Sequence, residues 1–219
     1  MRFSFDPVDP FPLLSSLEGT YEAAKLHSMQ VDDFLGFRIP EAEAELLSEP
    51  APWAGLPPSI LLTPYTELRF LLDRITPPEG SSLIELGSGY SRLAHVLHRH
   101  FPHVHYLGFE LIPGRAREAI RVMAAHGLGG GKARRTIECV DVLYRDPFPG
   151  GECYFLYDLS PSWEDTGKVL RKIREIARTR PVRVIGRGRS TRTWIERKHP
   201  WLSEVHPPEH HGNFTIYRS

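Results

Sequence analysis

The stretch Leu83-Ile84-Glu85-Leu86-Gly87-Ser88-Gly89 decides the reading of this chain. A short apolar run, Ser82 to Leu86, has the length and composition of a buried strand. It ends in glycines at alternate positions, and a helical pattern follows from Ser91 to His100. Glycine at 87 and 89 lets the backbone turn tightly and approach a ligand with no Cβ in the way. The helix beginning there leaves free N–H groups that favour an anion or a carboxylate. In an open α/β sheet this point is the carboxyl edge, where ligands bind.

C-terminal to the turn, strand and helix patterns alternate. Strands are predicted at Val104 to Phe109, Thr136 to Val140, Cys153 to Tyr157 and Val182 to Ile185, with helices at Gly114 to His126 and Asp165 to Arg178. Strands separated by helices imply βαβ units and a parallel sheet. The end differs. After a helix at Thr191 to Lys198, strands at Leu202 to Val205 and Phe214 to Tyr217 are joined by a loop too short for a crossover helix, so they must pair antiparallel. N-terminal to the turn, Pro64 to Ile75 reads as a helix with Leu68, Leu71, Leu72 and Ile75 on one face. A stiff, proline-rich connector, Glu49 to Pro58, precedes it. Leu13, Leu14, Leu17, Tyr21, Ala24 and Leu26 follow helical spacing further upstream, and Glu41 to Leu47 reads as a second short helix. The expected architecture is α/β: a Rossmann-like, seven-stranded, mostly parallel sheet with a C-terminal antiparallel hairpin, residues 59–219. An N-terminal helical cap, residues 1–58, adds to it.

Composition narrows the class. The chain has 219 residues, of which 41% are hydrophobic and 25% charged, as in an ordinary globular protein. No apolar run approaches the roughly 18 residues of a membrane span, and no basic-then-apolar leader opens the chain, so a cytoplasmic protein is expected. Cys139 and Cys153 lie in apolar runs and read as buried thiols. The histidines, including the pairs His95/His98 and His210/His211, lack an acid or cysteine at ligand spacing, so no metal site is expected. Charge is unevenly spread. Residues 1–58 hold ten acidic and three basic residues, residues 168–219 four and thirteen. Arg171, Lys172, Arg174 and Arg178 read as the solvated face of one helix, which disfavours nucleic acid as a partner.

Two further acids stand where the parallel strands end. Glu110 follows the second strand, where a carboxylate can accept both hydroxyls of a ribose. Asp141 follows the third and can accept from an exocyclic amine such as that of adenine. A nicotinamide dinucleotide site wants G-x-G-x-x-G, and Arg92 occupies the third glycine position, which disfavours that oxidoreductase. No G-x-S-x-G elbow is present, which excludes that hydrolase chemistry.

Residues Leu83 to Arg92, with Glu110 and Asp141, resemble the class I S-adenosylmethionine-dependent methyltransferases. The likeness covers roughly residues 59–219. Thr63-Pro64-Tyr65-Thr66-Glu67 before a helix, with Glu85 to Arg92, faintly resembles the small non-SET lysine methyltransferases. Ser91 stands where the family often has a third glycine. The resemblance implies S-adenosylmethionine as cofactor, with Glu85, Gly87, Ser88 and Gly89 at the methionine end, Glu110 on the ribose and Asp141 on the adenine. The expected acceptor is a protein amine or a small molecule. Asp158 is the candidate for orienting it, with Tyr157 and Trp163 lining the pocket. A turn cap at Asp158 and sheet packing at Trp163 are equally open. Tyr65 either covers the cofactor or packs the helix start. The rival class is a non-catalytic module that binds the nucleotide without turnover. An aminopropyl transferase would need an acid-rich pocket that is not apparent around Asp158.

Overall fold

The computed structural model describes residues 3–44, 62–130, 133–157 and 162–219. Seven strands form one sheet: β1 (Ser82–Leu86), β2 (His105–Glu110), β3 (Arg135–Cys139), β4 (Cys153–Tyr157), β5 (Arg183–Arg187), β6 (Glu209–His211) and β7 (Phe214–Arg218). Their order is β3-β2-β1-β4-β5-β7-β6. The first five are parallel, β7 runs antiparallel to β5, and β6 antiparallel to β7.

Helices α1 (Tyr21–Leu35), α3 (Tyr65–Ile75), α4 (Arg92–His100) and α5 (Pro113–Ala125) cover one face of the sheet. Strand alternation turns Leu83, Tyr106, Cys153, Phe155, Ile185 and Phe214 towards them. Helices α6 (Trp163–Ala177) and α7 (Arg189–Lys198), with the 3₁₀ turn Pro200–Leu202, cover the other face. There they meet Ile84, Leu86, Tyr154, Leu156 and Val184. The strands are apolar on both sides because both sides are covered.

Cys153 is buried as expected but Cys139, at the end of edge strand β3, is exposed. Three expectations about secondary structure also change. The N-terminal helix begins at Tyr21, not near Leu13: Pro10, Pro12 and Gly19 (φ 66°) break the earlier turns, and Leu26 points to solvent. The second helix, α2 (Ile39–Ala44), starts earlier than expected. The stretch Leu202 to Val205 is not a strand. Trp201 and Leu202 are buried in the 3₁₀ turn, and Pro207 and Pro208 cannot donate to a ladder, so pairing begins only at Glu209. The hairpin then closes through Gly212 (φ 57°) and Asn213, a two-residue loop.

The described N-terminal residues share the main core. Phe11, Val31, Leu35, Phe37 and Ala42 are buried in the same cluster as Leu68 and Leu93, and Phe11 stacks on Tyr65 at 5.1 Å. Each of these side chains except Ala42 contributes roughly 1.5–3 kcal/mol on burial. The proline-rich connector and the boundary expected at residue 58 lie outside the described residues. Among the described residues, no helix is long and apolar enough to cross a membrane.

Candidate active site

The turn after β1 is built by backbone conformation. Gly87 (φ 79°) and Gly89 (φ 54°) adopt the left-handed region. Gly87 is exposed, whereas Gly89 is covered: a Cβ on it would lie 3.2 Å from the Leu62 side chain. Ser91, the residue before α4, also sits left-handed at φ 53° and ψ 41°. That conformation costs a non-glycine residue about 1–2 kcal/mol.

Backbone hydrogen bonds draw three strand ends together. Gly87 and Ser88 both donate N–H to the Phe109 carbonyl, at 2.9 and 2.8 Å. Gly89 donates to Glu110 Oε2 at 2.6 Å, and Ile112 to Glu110 Oε1 at 2.9 Å. Val140 donates to the Glu110 carbonyl at 3.1 Å, which brings the next residue, Asp141, alongside β2. Asp141 Oδ1 accepts from Leu143 N–H at 2.9 Å, capping the 3₁₀ turn Val142–Tyr144, and the side chain stays half-buried. Glu110 is 5% exposed, and burial raises its carboxyl above the usual range although the Ile112 and Gly89 N–H groups and Arg115 oppose this.

Glu85 lies deeper. Alternation along β1 turns it to the α3 face, where the Tyr106 hydroxyl donates to its Oε2 at 2.5 Å. Gly108 makes room for that hydroxyl, since a Cβ there would come within 2.6 Å of it. Burial pushes the Glu85 carboxyl up to about 8, and nearby Glu110 adds to the rise, while the tyrosine bond opposes it.

A second group gathers beside Glu85, and sequence reasoning caught only Tyr157 of it. Tyr157 and Arg187 are paired residues on β4 and β5 and end those strands. Both are nearly buried, and both feel Glu67 from the first turn of α3. Burial raises Glu67 to about 7, with Arg187 pulling the other way. Glu67 Oε2 and the Tyr157 hydroxyl are buried without a hydrogen-bond partner among the described residues. The signal for Arg187 was available in part: period-two alternation puts it on the Tyr157 face once β5 runs past Ile185. Glu67 is brought there only by the packing of α3.

Tyr65 is placed elsewhere. It is fully buried, its hydroxyl donates to Asp32 Oδ1 at 2.8 Å, and the Arg92 guanidinium lies over its ring at 5.1 Å. This is packing at the helix start, against Arg92, which opens the helix that follows the glycine turn. Arg92 itself turns away from β1 and pairs with the buried Asp32 of α1, while donating to the Thr63 carbonyl at 3.1 Å. Glu43 of α2 accepts from the Tyr90 hydroxyl at 2.6 Å and from Arg115 Nε at 2.7 Å. The N-terminal helices therefore brace both sides of the site. Asp158 lies outside the described residues. Trp163 opens α6 on the opposite face, 40% exposed, and stacks on Trp194 rather than on the sheet.

No protein-family profile matches the sequence, and no curated protein is significantly similar to it. Solved structures do match. An O-methyltransferase from Thermotoga maritima aligns at a TM-score of 0.55 and 16% identity over 72% of this chain and 65% of its own. The 16S rRNA methylase RmtB aligns at 0.50 and 16% identity over 90% of this chain and 82% of its own. The C-terminal domain of precorrin-6Y C5,15-methyltransferase from Rhodobacter capsulatus aligns at 0.50 and 14% identity, covering 77% and 98% respectively. The fold is that of the class I methyltransferases. In this class I fold the glycine turn, Glu110 and Asp141 occupy one edge of the parallel strands, and the Glu67–Tyr157–Arg187 group adjoins it over β4 and β5.

Proposed function

We propose that this chain binds S-adenosylmethionine at the carboxyl edge of β1, β2 and β3 and transfers its methyl group to an acceptor held beside Tyr157. The observation that carries the reading is the set of backbone bonds that brings the glycine turn, Glu110 and Asp141 to one edge. Each Glu110 oxygen accepts one N–H, which leaves a further lone pair on each for a ribose hydroxyl. Asp141 commits Oδ1 to Leu143 and keeps Oδ2 for an exocyclic amine. Leu111, 47% exposed beside Glu110, offers an apolar face to a base. The methionine end carries an ammonium and a carboxylate. Glu85 and Arg187 have the matching charges, and the unpartnered Tyr157 hydroxyl and Glu67 oxygen lie beside them.

When bound, the cofactor supplies a methyl group on a cationic sulfur; transfer to an acceptor lone pair leaves S-adenosylhomocysteine and a proton to be removed. Positioning supplies much of such a rate. Glu67, with its carboxyl near 7, can hold the released proton at neutral pH. Asp158, next after Tyr157, is assigned by sequence position to orient the acceptor. The similar structures are named for substrates as different as an rRNA and a precorrin, so the fold does not select the acceptor; local side chains do. The acceptor proposed is a protein amine or a small molecule.

Calorimetric titration of the full chain with S-adenosylhomocysteine tests this. One saturable site is expected. Asp141→Asn, which leaves the turn's backbone bonds intact, should weaken it roughly tenfold, as loss of a charged acceptor does. Glu110→Ala should weaken it further, because the turn loosens as well. No binding by the intact chain would overturn the proposal. Labelled methyl donor incubated with a cell lysate, fractionated by size, would then identify the acceptor class.

A further inference from the structure

On the face of the sheet opposite the buried acids, α6 and α7 enclose an open groove of about 450 Å³. Two indoles lie at its upper end, beside the carboxyl edge. Trp163 and Trp194 are stacked with centroids 5.8 Å apart and planes 28° from parallel. Lys198 Nζ lies over the Trp194 ring, 5.9 Å from its centroid. Trp163 is 40% exposed. Buried Trp194 Nε1 has no hydrogen-bond partner among the described residues.

Below the indoles the lining is cationic. Arg171 and Arg174, two exposed residues on one stripe of α6, line the groove with Lys198 and His199 of α7 and its C-terminal end. The other cations of α6 are engaged: Lys168 with Asp165, Lys172 with the Leu143 and Arg145 carbonyls, Arg178 with Glu175. The Arg171 and Arg174 side chains have no ion pair or hydrogen bond among the described residues. Against these, Glu164 is the acid lining the groove, and it lies 3.8 Å from Lys168. A solvated helix face has no reason to hold a stacked tryptophan pair at one end. Free guanidiniums spaced along a groove suit successive phosphates, and a partly exposed indole suits a nucleobase.

We infer that this groove binds a single-stranded nucleic acid, with a base stacked on Trp163 and phosphates along Arg171, Arg174 and Lys198. Charge alone argued for a solvated face; the indole pair at the end of the same groove is what an acidic peptide would not need. The inference is independent of methyl transfer and is tested without cofactor.

The full chain is titrated with an oligouridylate of roughly ten nucleotides, within the range one such binding face covers, and tryptophan fluorescence is followed. Quenching is expected, with affinity that falls as salt rises, because phosphate contacts release counterions. The double variant Arg171→Glu/Arg174→Glu should lose about tenfold or more and flatten the salt dependence. Trp163→Ala should lose roughly tenfold while keeping that dependence, since stacking is insensitive to salt. Lys198→Glu, on the other helix, provides a second charge reversal should the α6 double variant fold poorly. No quenching, equal binding of polyglutamate, or unchanged affinity in both charge variants would overturn the inference. Retained S-adenosylhomocysteine binding in that event would leave the proposed function standing.

Discussion

On the α3 face of the sheet, Glu67, Glu85 and Glu110 are buried, and burial raises all three carboxyls above their ordinary range. On the α6 face, Arg171, Arg174 and Lys198 stand in solvent without acidic partners among the described residues. The same edge of one sheet thus offers a sheltered acidic chamber on one side and an open cationic groove on the other. The chamber's acids suffer from desolvation, which a cationic ligand would relieve. The groove's cations lose nothing in water and act by attracting an anion from a distance. Charges on the two faces should therefore respond differently to substitution, pH and ligand.

The largest contrast is in stability. Asp32→Ala strands the buried Arg92 guanidinium, so chemical denaturation should show a loss of about 3–5 kcal/mol. Arg171→Ala on the other face should stay within about 0.5 kcal/mol of the parent. Equal effects would erase the distinction.

The pH dependence is next. Glu85, with a carboxyl near 8, and Glu67, near 7, hold their protons in the fold beyond the point where the unfolded chain releases them. Their contribution favours the fold at low pH and is lost as pH rises from about 4.5 to 8. His95 has the opposite sign: burial, with His126 and His98, lowers it to about 3, so the fold gains as pH rises from 3 to 6.5. The windows overlap, and two carboxyls outweigh one imidazole, so thermal melts across pH should show these three groups producing a maximum at about pH 4.5. Glu85→Gln should flatten the alkaline descent by a few kcal/mol, because a proton retained over one pH unit is worth about 1.4 kcal/mol. The chamber also predicts that binding of S-adenosylhomocysteine, whose ammonium would favour ionised Glu85, releases protons at pH 7. Calorimetry in buffers of different ionisation enthalpy should detect this, and Glu85→Gln should remove it. Oligouridylate binding in the groove should release none.

The smallest effect concerns the turn between the two faces. Ser91→Gly relieves a left-handed serine and should raise stability by about 1 kcal/mol, measured by denaturant unfolding. No gain would mean that burial of the serine side chain outweighs the backbone strain.

The sequence was legible where short-range patterns carried the information. The run ending in Gly87 and Gly89, the strand–helix alternation and the acids at 85, 110 and 141 could all be read in order along the chain. Period-two alternation reaches Arg187, the partner of Tyr157 on the next strand, only if that strand runs past Ile185, where it was expected to end. Reading failed where punctuation competed with periodicity: Gly19 and the prolines delayed α1, and Pro207-Pro208 moved the hairpin to Glu209.

Local chemistry thus determined the parallel sheet, its glycine turn and its row of strand-end acids, because each depends on neighbours within a few residues. Packing between distant segments decided the rest: Tyr65 turned to Asp32, Glu67 joined Tyr157 and Arg187, and Trp163 met Trp194 on the far face. Those contacts rest on which helix covers which side of the sheet, and burial and charge pairing across tens of residues leave no periodic trace in the chain.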